Sequence, residues 1–438
     1  MKRDRIAIIG GGLASLRAAE RLREDGHRGA ITMIGMERRP AYNRPPLSKQ
    51  ILEHKMRPSD LAFESYVELD LDARYGVRAE RLDPVAHEVE LDDGSTLAYD
   101  GLIIATGVRA RRLPDAPNLD DRVVTLRTLD DAMALDVLLR RARRVLIVGG
   151  GFIGCEVASA ARHLAIDVTL VDNSPYLLGR IVGPALGAMV TTLHAEAGVD
   201  LRLGRSITAW RTGPRAVTAV LDDGSEIEAD AVLIAIGTEP CVDWLADLPL
   251  DLTNGVLCDE TSHVVGLDDV VAAGDVARWP NRRFDATPRR VEHWINAVEH
   301  GQAAATNLLA GRANAQPFAP LPRFWSEQHH VRIQAVGMPA LADRLALAEG
   351  SMAERRLVAV CLEGQRVVGA LGIDSPRAML RYADLLERTT SVNGAQPVRT
   401  LRPPTLAPPQ PVRPHVAADE PRRRPAPVLA LARTSTQR

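Results

Sequence analysis

The chain has 438 residues, 46% hydrophobic and 25% charged, with a formal net charge of −2. That length exceeds one ordinary core and predicts two to three domains of a soluble globular protein. No apolar run approaches the roughly 18 residues a membrane helix needs, and the basic start Met1-Lys2-Arg3-Asp4-Arg5 precedes only four apolar residues, too few for a secretory signal. The expectation is therefore a cytoplasmic protein with no membrane or nucleic-acid partner.

The first strand, Ile6–Ile9, runs into Gly10-Gly11-Gly12-Leu13-Ala14-Ser15 and a helix from about Leu13 to Asp25, and a strand follows at Ile31–Ile34. An irregular stretch from Glu37 to Lys49 carries Pro40, Pro45 and Pro46. Short alternating segments such as His87–Leu91 then close on an Asp93-Gly94 turn. The strand Leu102–Ala105 leads into Thr106-Gly107. This order then repeats. Val145–Val148 precedes Gly149-Gly150-Gly151-Phe152-Ile153-Gly154, a helix runs to about Leu164, and a strand occupies Val168–Val171. A second meander follows, then Val232 to Ala235 and Ile236-Gly237. Gly149 lies 139 residues after Gly10, and Leu221-Asp222-Asp223-Gly224-Ser225 echoes Leu91-Asp92-Asp93-Gly94-Ser95 at an offset of 130.

Beyond the second copy, Val270–Ala273 runs into Gly274-Asp275 and reads as a strand returning to the first domain. A helix is expected from Trp294 to Leu309, ended by Gly311. From Pro322 to about Asn393 the pattern turns to hairpins, with Leu357–Leu362 and Arg366–Leu371 flanking Glu363-Gly364-Gln365. Pro376 then opens a helix to Arg388. From Pro397 to Arg438 there are ten prolines and eight arginines against Asp419 and Glu420. Such a segment cannot bury enough apolar surface to offset its ordering entropy and is expected to be disordered. The fold class is thus α/β: two Rossmann-like dinucleotide-binding domains with inserted β-meanders, a small C-terminal α/β domain and a disordered tail.

The glycine spacing in the second copy has a physical reading. Gly149 permits the tight turn, Gly151 lets backbone approach a pyrophosphate, and Gly154 lets the helix pack closely on the strand. The helix N-terminus then faces the phosphates. Asp172, 18 residues past Gly154, would accept ribose hydroxyls and repel a 2′-phosphate, which favours NADH over NADPH. In the first copy Ser15 takes the third glycine's place. Holding two dinucleotides usually serves to pass a hydride between them, so a flavin-dependent, nicotinamide-oxidising enzyme is implied. The four cysteines (Cys155, Cys241, Cys258, Cys361) show no C-x-x-C or metal-like spacing, which argues against disulfide reduction and against a metal site.

Three segments resemble one family. Tyr42-Asn43-Arg44-Pro45-Pro46-Leu47-Ser48-Lys49, Arg290-Val291-Glu292-His293-Trp294-Ile295-Asn296-Ala297 and Phe324-Trp325-Ser326-Glu327-Gln328 are similar to signatures of the FAD-dependent ferredoxin reductases of bacterial oxygenase systems. Apoptosis-inducing factor is a relative of these reductases, and the resemblance covers roughly residues 5 to 390. It implies an FAD-binding domain at 1–110 and 246–320, an NAD-binding domain at 111–245, a C-terminal domain at 321–395 and a tail at 396–438. It implies FAD and NADH as cofactors and a [2Fe–2S] ferredoxin as electron acceptor. Gly10, Gly12 and Ala14 would hold the FAD pyrophosphate, and Lys49 would lie beside the reactive nitrogen of the isoalloxazine. Arg127 would contact FAD between the domains, Gly274 and Asp275 would hold the ribityl chain, and the Trp294 backbone would meet the pyrimidine edge. Cofactor contacts are also expected from Leu13, Arg44, Ala105, Thr106, Gly107, Ile153, Arg180, Gly237 and His293. The family's FAD-ribose carboxylate falls on Met36, so either Glu37 substitutes for it or the contact is missing.

Lys49 is one of only three lysines beside 51 arginines. A compact ammonium can sit where a planar guanidinium is too large, and the family pairs this lysine with Glu156. Lys49 and Glu156 are the expected catalytic pair. Five arginines, Arg278, Arg282, Arg283, Arg289 and Arg290, fall within 13 residues opposed locally only by Asp285, and they form the expected ferredoxin-docking patch. Two rival readings are an NADH oxidase, which needs a cysteine beside the flavin, and a redox-linked binding protein like apoptosis-inducing factor.

Overall fold

A computed structural model describes residues 3–65 and 68–389. The segment expected to be disordered lies outside the described residues.

The first unit is a five-stranded parallel sheet in the order Val270–Ala272, Gly101–Ile104, Arg5–Ile9, Ala30–Gly35, Leu71–Tyr75. Apart from the exposed Arg5 at the start of the first, the central strands Arg5–Ile9 and Gly101–Ile104 are apolar and buried on both faces, as parallel sheets require. Helix α1 (Leu13–Glu24) follows the first strand. An antiparallel meander of Ala79–Asp83, Glu88–Leu91 and Thr96–Ala98 fills the long connection.

The chain then crosses to the second unit, where helix α2 (Leu129–Leu139) opens on a Thr128 cap that accepts from the Asp131 N–H. The second sheet has the order Asp200–Leu203, Asp167–Asp172, Arg144–Val148, Ala231–Ile234, Val123–Val124, and all its pairs are parallel. Helix α3 (Phe152–His163) stands where α1 stands in the first unit. The second meander, Ile207–Thr212, Val217–Leu221 and Glu226–Ala229, repeats the first. Helix α4 (Gly179–Glu196) has no sequence expectation above. It holds Gly179, Gly183, Pro184 and Gly187, residues that dilute any helical pattern, and it kinks at Gly183, where φ is 79°.

Entry to and exit from the second unit are adjacent. Val108–Ala110 and Thr238–Pro240 pair as an antiparallel ribbon, which Arg109 reinforces by contacting Glu239 and Asp243. After the ribbon the strand Val270–Ala272 rejoins the first sheet, and helix α5 (Trp294–Ala310) packs on α1.

The C-terminal unit is a five-stranded antiparallel sheet in the order Arg323–Gln328, Val331–Gly337, Arg366–Ile373, Arg356–Glu363, Arg344–Ser351. Helix α6 (Pro376–Thr389) covers one face. Its core is continuous with that of the second unit: one apolar cluster runs from Tyr42, Leu47 and Leu52 through α2, α3 and α4 to Ile333, Leu371 and Leu386. Burial of that shared surface, at roughly 25 cal/mol per Å², fixes the C-terminal sheet against α3.

Candidate active site

The two glycine loops are built alike. Gly10 and Gly149 have φ of 135° and 111°, and a Cβ at either would lie 2.1 Å from the Ala105 oxygen or 2.3 Å from the Ala235 oxygen. Only glycine fits there. In the second copy Gly154 is equally obligatory, because its Cβ would lie 1.9 Å from the Gly149 oxygen. Ser15 replaces it in the first copy and is fully buried. By contrast, a Cβ on Gly12 or Gly151 would meet nothing within 4 Å. Both residues cap their helices without any side-chain hydrogen bond, so each helix presents free N–H groups and the positive end of its dipole to an open space. These two cradles fit the pyrophosphates of two dinucleotides. Leu13 and Ala14 open α1, and Ile153, partly exposed, opens α3.

Asp172 ends the strand beside the second cradle. Its oxygens accept from the Gly150 N–H and the Ser174 N–H, each at 2.6 Å. Arg180 lies on the same rim and donates to the Asn173 side-chain oxygen, Oδ1, at 2.8 Å. Gly237 has φ of 102° and follows the strand that borders this loop.

Around the first cradle, Glu37 is drawn inward: one oxygen accepts from the Tyr42 hydroxyl and the other from Arg44, both at 2.6 Å. Met36 points to solvent. Tyr42 also accepts from the Leu129 N–H, and Arg44 donates to the Arg127 carbonyl. Burial pushes the Tyr42 hydroxyl well above its ordinary range, so it stays a donor. Arg127 pairs with Asp275 at 2.8 Å and donates to the Val108 carbonyl. A Cβ on Gly107, at φ 66°, would lie 3.9 Å from the Arg127 guanidinium, and Thr106 donates to the Cys241 carbonyl. A Cβ on Gly274, at φ 72°, would lie 3.0 Å from the Ala14 Cβ. Trp294 donates to Asn43 and stands beside Phe63 and Trp325, with ring centroids 6.5 and 6.3 Å away. His293 precedes it against Phe324.

Lys49 and Glu156 meet between the units. Lys49 Nζ lies 2.8 Å from Glu156 Oε2, and the two side chains are 12% and 5% exposed. The carboxylate is further held by the hydroxyls of Ser48, which donates to Oε2, and Ser326, which donates to Oε1 at 2.6 Å. Gln328 in turn donates to Ser326 at 3.0 Å and receives His194 at its carbonyl. Ser48, Ser326 and Gln328 were not singled out from the sequence. Ser326 and Gln328 alternate along a strand and so share a face, but nothing local says that this face meets α3.

No cysteine serves here. All four are free, and Cys155, Cys258 and Cys361 are buried, with burial pushing their thiols up. Cys241 is half-buried and shifted the same way. Among the described residues no group of three or more His, Cys, Asp and Glu could hold a metal, and no helix is long and apolar enough to cross a membrane.

The arginine cluster needs correction. Opposing charge arrives from distant segments for three of them, Arg278 with Asp251, Arg282 with Glu260 and Arg283 with Glu387, and from close by for the others, Arg289 with Asp285 and Arg290 with Glu292. Arg278, Arg283 and Arg290 are largely covered, so the segment is a set of ion pairs rather than an unopposed patch.

Residues 4–301 match the pyridine nucleotide-disulphide oxidoreductase model, and residues 323–400 match a reductase C-terminal model. The chain belongs to the pyridine nucleotide-disulphide oxidoreductase family. It is an oxidoreductase, and its four cysteines are free. It is 35% identical over 399 residues to the ferredoxin–NAD(+) reductase component of a p-cumate 2,3-dioxygenase system of Pseudomonas putida, covering 89% of this chain and 95% of that one. It is 33% identical to putidaredoxin reductase of Pseudomonas putida, covering 85% and 90%. Among solved structures, the covalent putidaredoxin reductase–putidaredoxin complex superposes with a TM-score of 0.82 at 30% identity, covering 87% and 93%. The ferredoxin reductase of the CYP199A2 system from Rhodopseudomonas palustris does so at 0.81 and 29%, covering 88% and 94%.

Buried histidines give this reductase an acid limit. Burial pushes His194 down to about 4 and His300 to about 3. An unfolded histidine takes up its proton near pH 6.5, so the unfolded chain binds more protons below that pH. Their contribution to stability is full above pH 6.5 and is lost as pH falls toward 4. Melting temperature should therefore decline across this window and less steeply in His194→Gln; a flat profile in the wild type would show these rings are not held neutral.

Proposed function

We propose that the chain passes electrons from NADH through FAD to a [2Fe–2S] ferredoxin that feeds an oxygenase, a Rieske dioxygenase or a haem-thiolate monooxygenase. The Gly10–Ala14 cradle takes FAD and the Gly149–Gly154 cradle takes NADH. FAD held in the first cradle would supply a hydride acceptor that can also donate electrons singly. The observation that carries this reading is the Lys49–Glu156 pair, which stands where two dinucleotide-binding units face one another.

The chain's own residues supply binding and charge. Lys49 places one ammonium at the meeting point of the units, and Glu156 fixes its position from α3. Ser48 and Ser326 keep the carboxylate satisfied whether or not the lysine is present. Arg127 and Asp275 offer a second charged pair between the units, beside Gly107 and Gly274. Glu37 is fully engaged by Tyr42 and Arg44 and Met36 carries no charge, so the FAD ribose is left to backbone and loop contacts. An oxidase mechanism through a thiolate is disfavoured because the accessible thiol, Cys241, is held protonated by burial.

Lys49→Met should fold, since Glu156 retains two hydroxyl donors, and should slow flavin reduction by NADH. Glu156→Ala should also slow it. Paired charges act as a unit, with coupling of about 0.5–3 kcal/mol, so the double variant should cost less than the two singles combined. Stopped-flow bleaching of the flavin measures all three, and strict additivity in the logarithm of the rate would exclude the pair as one catalytic unit.

For the nicotinamide, the Asp172 carboxylate stands where a 2′-phosphate would need a cation. NADH should be strongly preferred, and Asp172→Ala should weaken NADH more than NADPH. Equal kcat/KM for the two cofactors in the wild type would remove Asp172 from this role.

For the ferredoxin, the docking reading narrows to Arg282 and Arg289, the two arginines left more exposed by their ion pairs. Because both already have carboxylate partners, the expected effect is moderate. Changing both to Glu should raise the KM for a [2Fe–2S] ferredoxin, more at low salt than at high, and leave NADH-driven ferricyanide reduction intact. An unchanged KM would place docking elsewhere.

A further inference from the structure

A pocket of about 290 Å³ opens beside the Lys49–Glu156 pair and leads away from it. Glu156, Ser159 and His163 line it from α3 at spacings of three and four residues, so they form one stripe on one helix face. Seven residues at 1.5 Å each carry that stripe about 10 Å from the pair to an exposed histidine. The opposite wall is the hairpin that begins the C-terminal sheet, with Glu327, Gln328, His329, His330 and Arg332. The third wall is the segment after Lys49, with Gln50, Glu53 and Lys55.

The hairpin turn is unusual. Gln328 pairs with Val331, so His329 and His330 are a two-residue loop with φ of 48° and 64°. Such a turn selects Asn and Gly, whose backbones enter the left-handed region readily. Two histidines there keep a strained backbone in exchange for two imidazoles over the pocket. His330 stacks on His163 with ring centroids 4.8 Å apart, and His329 contacts His194 on α4 at 3.1 Å. The His329 N–H is pinned by Ser159 at 2.8 Å, and His163 meets Glu53 at 2.7 Å. Charge on these rings is opposed by Lys55, Arg162 and Arg332 and favoured by Glu53, Glu156 and Glu327.

We propose that this pocket carries the proton of the reaction between the Lys49–Glu156 pair and solvent, with His163, His329 and His330 taking it up and passing it on. The inference rests on the reductase reading and on its balance. One NADH and two oxidised one-electron acceptors give NAD⁺, two reduced acceptors and one proton. Each turnover therefore releases one proton, and the pair beside the pocket is largely buried, its side chains 12% and 5% exposed. Burial and the neighbouring rings push His329 down to about 3, so it holds a proton only in passing, while Glu53 is kept below its usual range, despite burial, by Lys55 and His163 and stays an acceptor at the mouth. The Gln328 amide cannot relay a proton, so the path runs through the pocket and not along the Ser326–Gln328–His194 chain.

The test uses the full-length, FAD-loaded protein, reduced by one equivalent of NADH and then oxidised by ferricyanide in weak buffer with a pH indicator. In the wild type, proton release should coincide with reoxidation of the flavin. In a triple variant, His163→Gln, His329→Asn and His330→Asn, it should lag by roughly tenfold or more and be restored by added imidazole. Asparagine suits the turn, so folding is preserved; His163→Gln alone is the fallback and should show a smaller lag. A second readout needs no turnover. In histidine-labelled protein without NADH, Glu156→Gln should move the NMR titration of His163 to lower pH, because a carboxylate sharing its pocket is lost. Coincident proton release in the triple variant, or an unmoved His163 titration, would overturn the route while leaving the reductase reading intact. Failure of NADH to reduce the flavin at all would overturn both.

Discussion

A carboxylate buried between two nucleotide-binding units is the constraint on which the rest of this structure depends. Glu156 cannot be taken from water without compensation, since an unpaired buried charge costs several kcal/mol. Its partners come from two separate stretches of chain: Ser48 and Lys49 from the irregular loop of the first unit, and Ser326 from the first strand of the C-terminal sheet. The two units and the sheet must therefore close on one another before this group is satisfied. The continuous apolar cluster from Tyr42 to Leu386 supplies the free energy for that closure. The polar contacts set its register.

What could be read from the sequence follows from how local each constraint is. The two glycine loops were readable because the backbone alone dictates them: Gly149 must take a positive φ, and Gly154 must admit the Gly149 oxygen. The duplicated Asp-Asp-Gly-Ser turns and the return of Val270–Ala272 to the first sheet were readable for the same reason. Helix α4 was not, because its glycines and Pro184 erase the periodicity and its helical state comes from packing in the shared cluster. Long-range pairing was also hidden. Asp251, Glu260 and Glu387 lie 22 to 104 residues from the arginines they neutralise, so counting charges in a window overstated the field of that segment.

At the site itself, the residues quoted from family-like segments do come together, but the geometry changes what they can do. Glu37 is near the first cradle, yet Tyr42 and Arg44 hold both its oxygens. Together with the Arg44–Arg127 carbonyl contact and the Arg127–Asp275 pair, this ties the irregular loop, the start of α2 and the end of the first sheet into one hydrogen-bonded frame. The frame crosses from one unit to the other without passing through Lys49. Domain alignment and the Lys49–Glu156 pair are thus held by separate sets of residues.

The ribbon of Val108–Ala110 and Thr238–Pro240 has a consequence for how such proteins diversify. A unit whose two ends leave side by side can be exchanged as a block, since any substitute need only present the same two short strands. The surface that α4 shows to the C-terminal sheet is the other condition, because it is part of the shared apolar cluster. A block exchanged at two neighbouring positions on one ribbon would thus have to keep both the two short strands and the apolar face of α4.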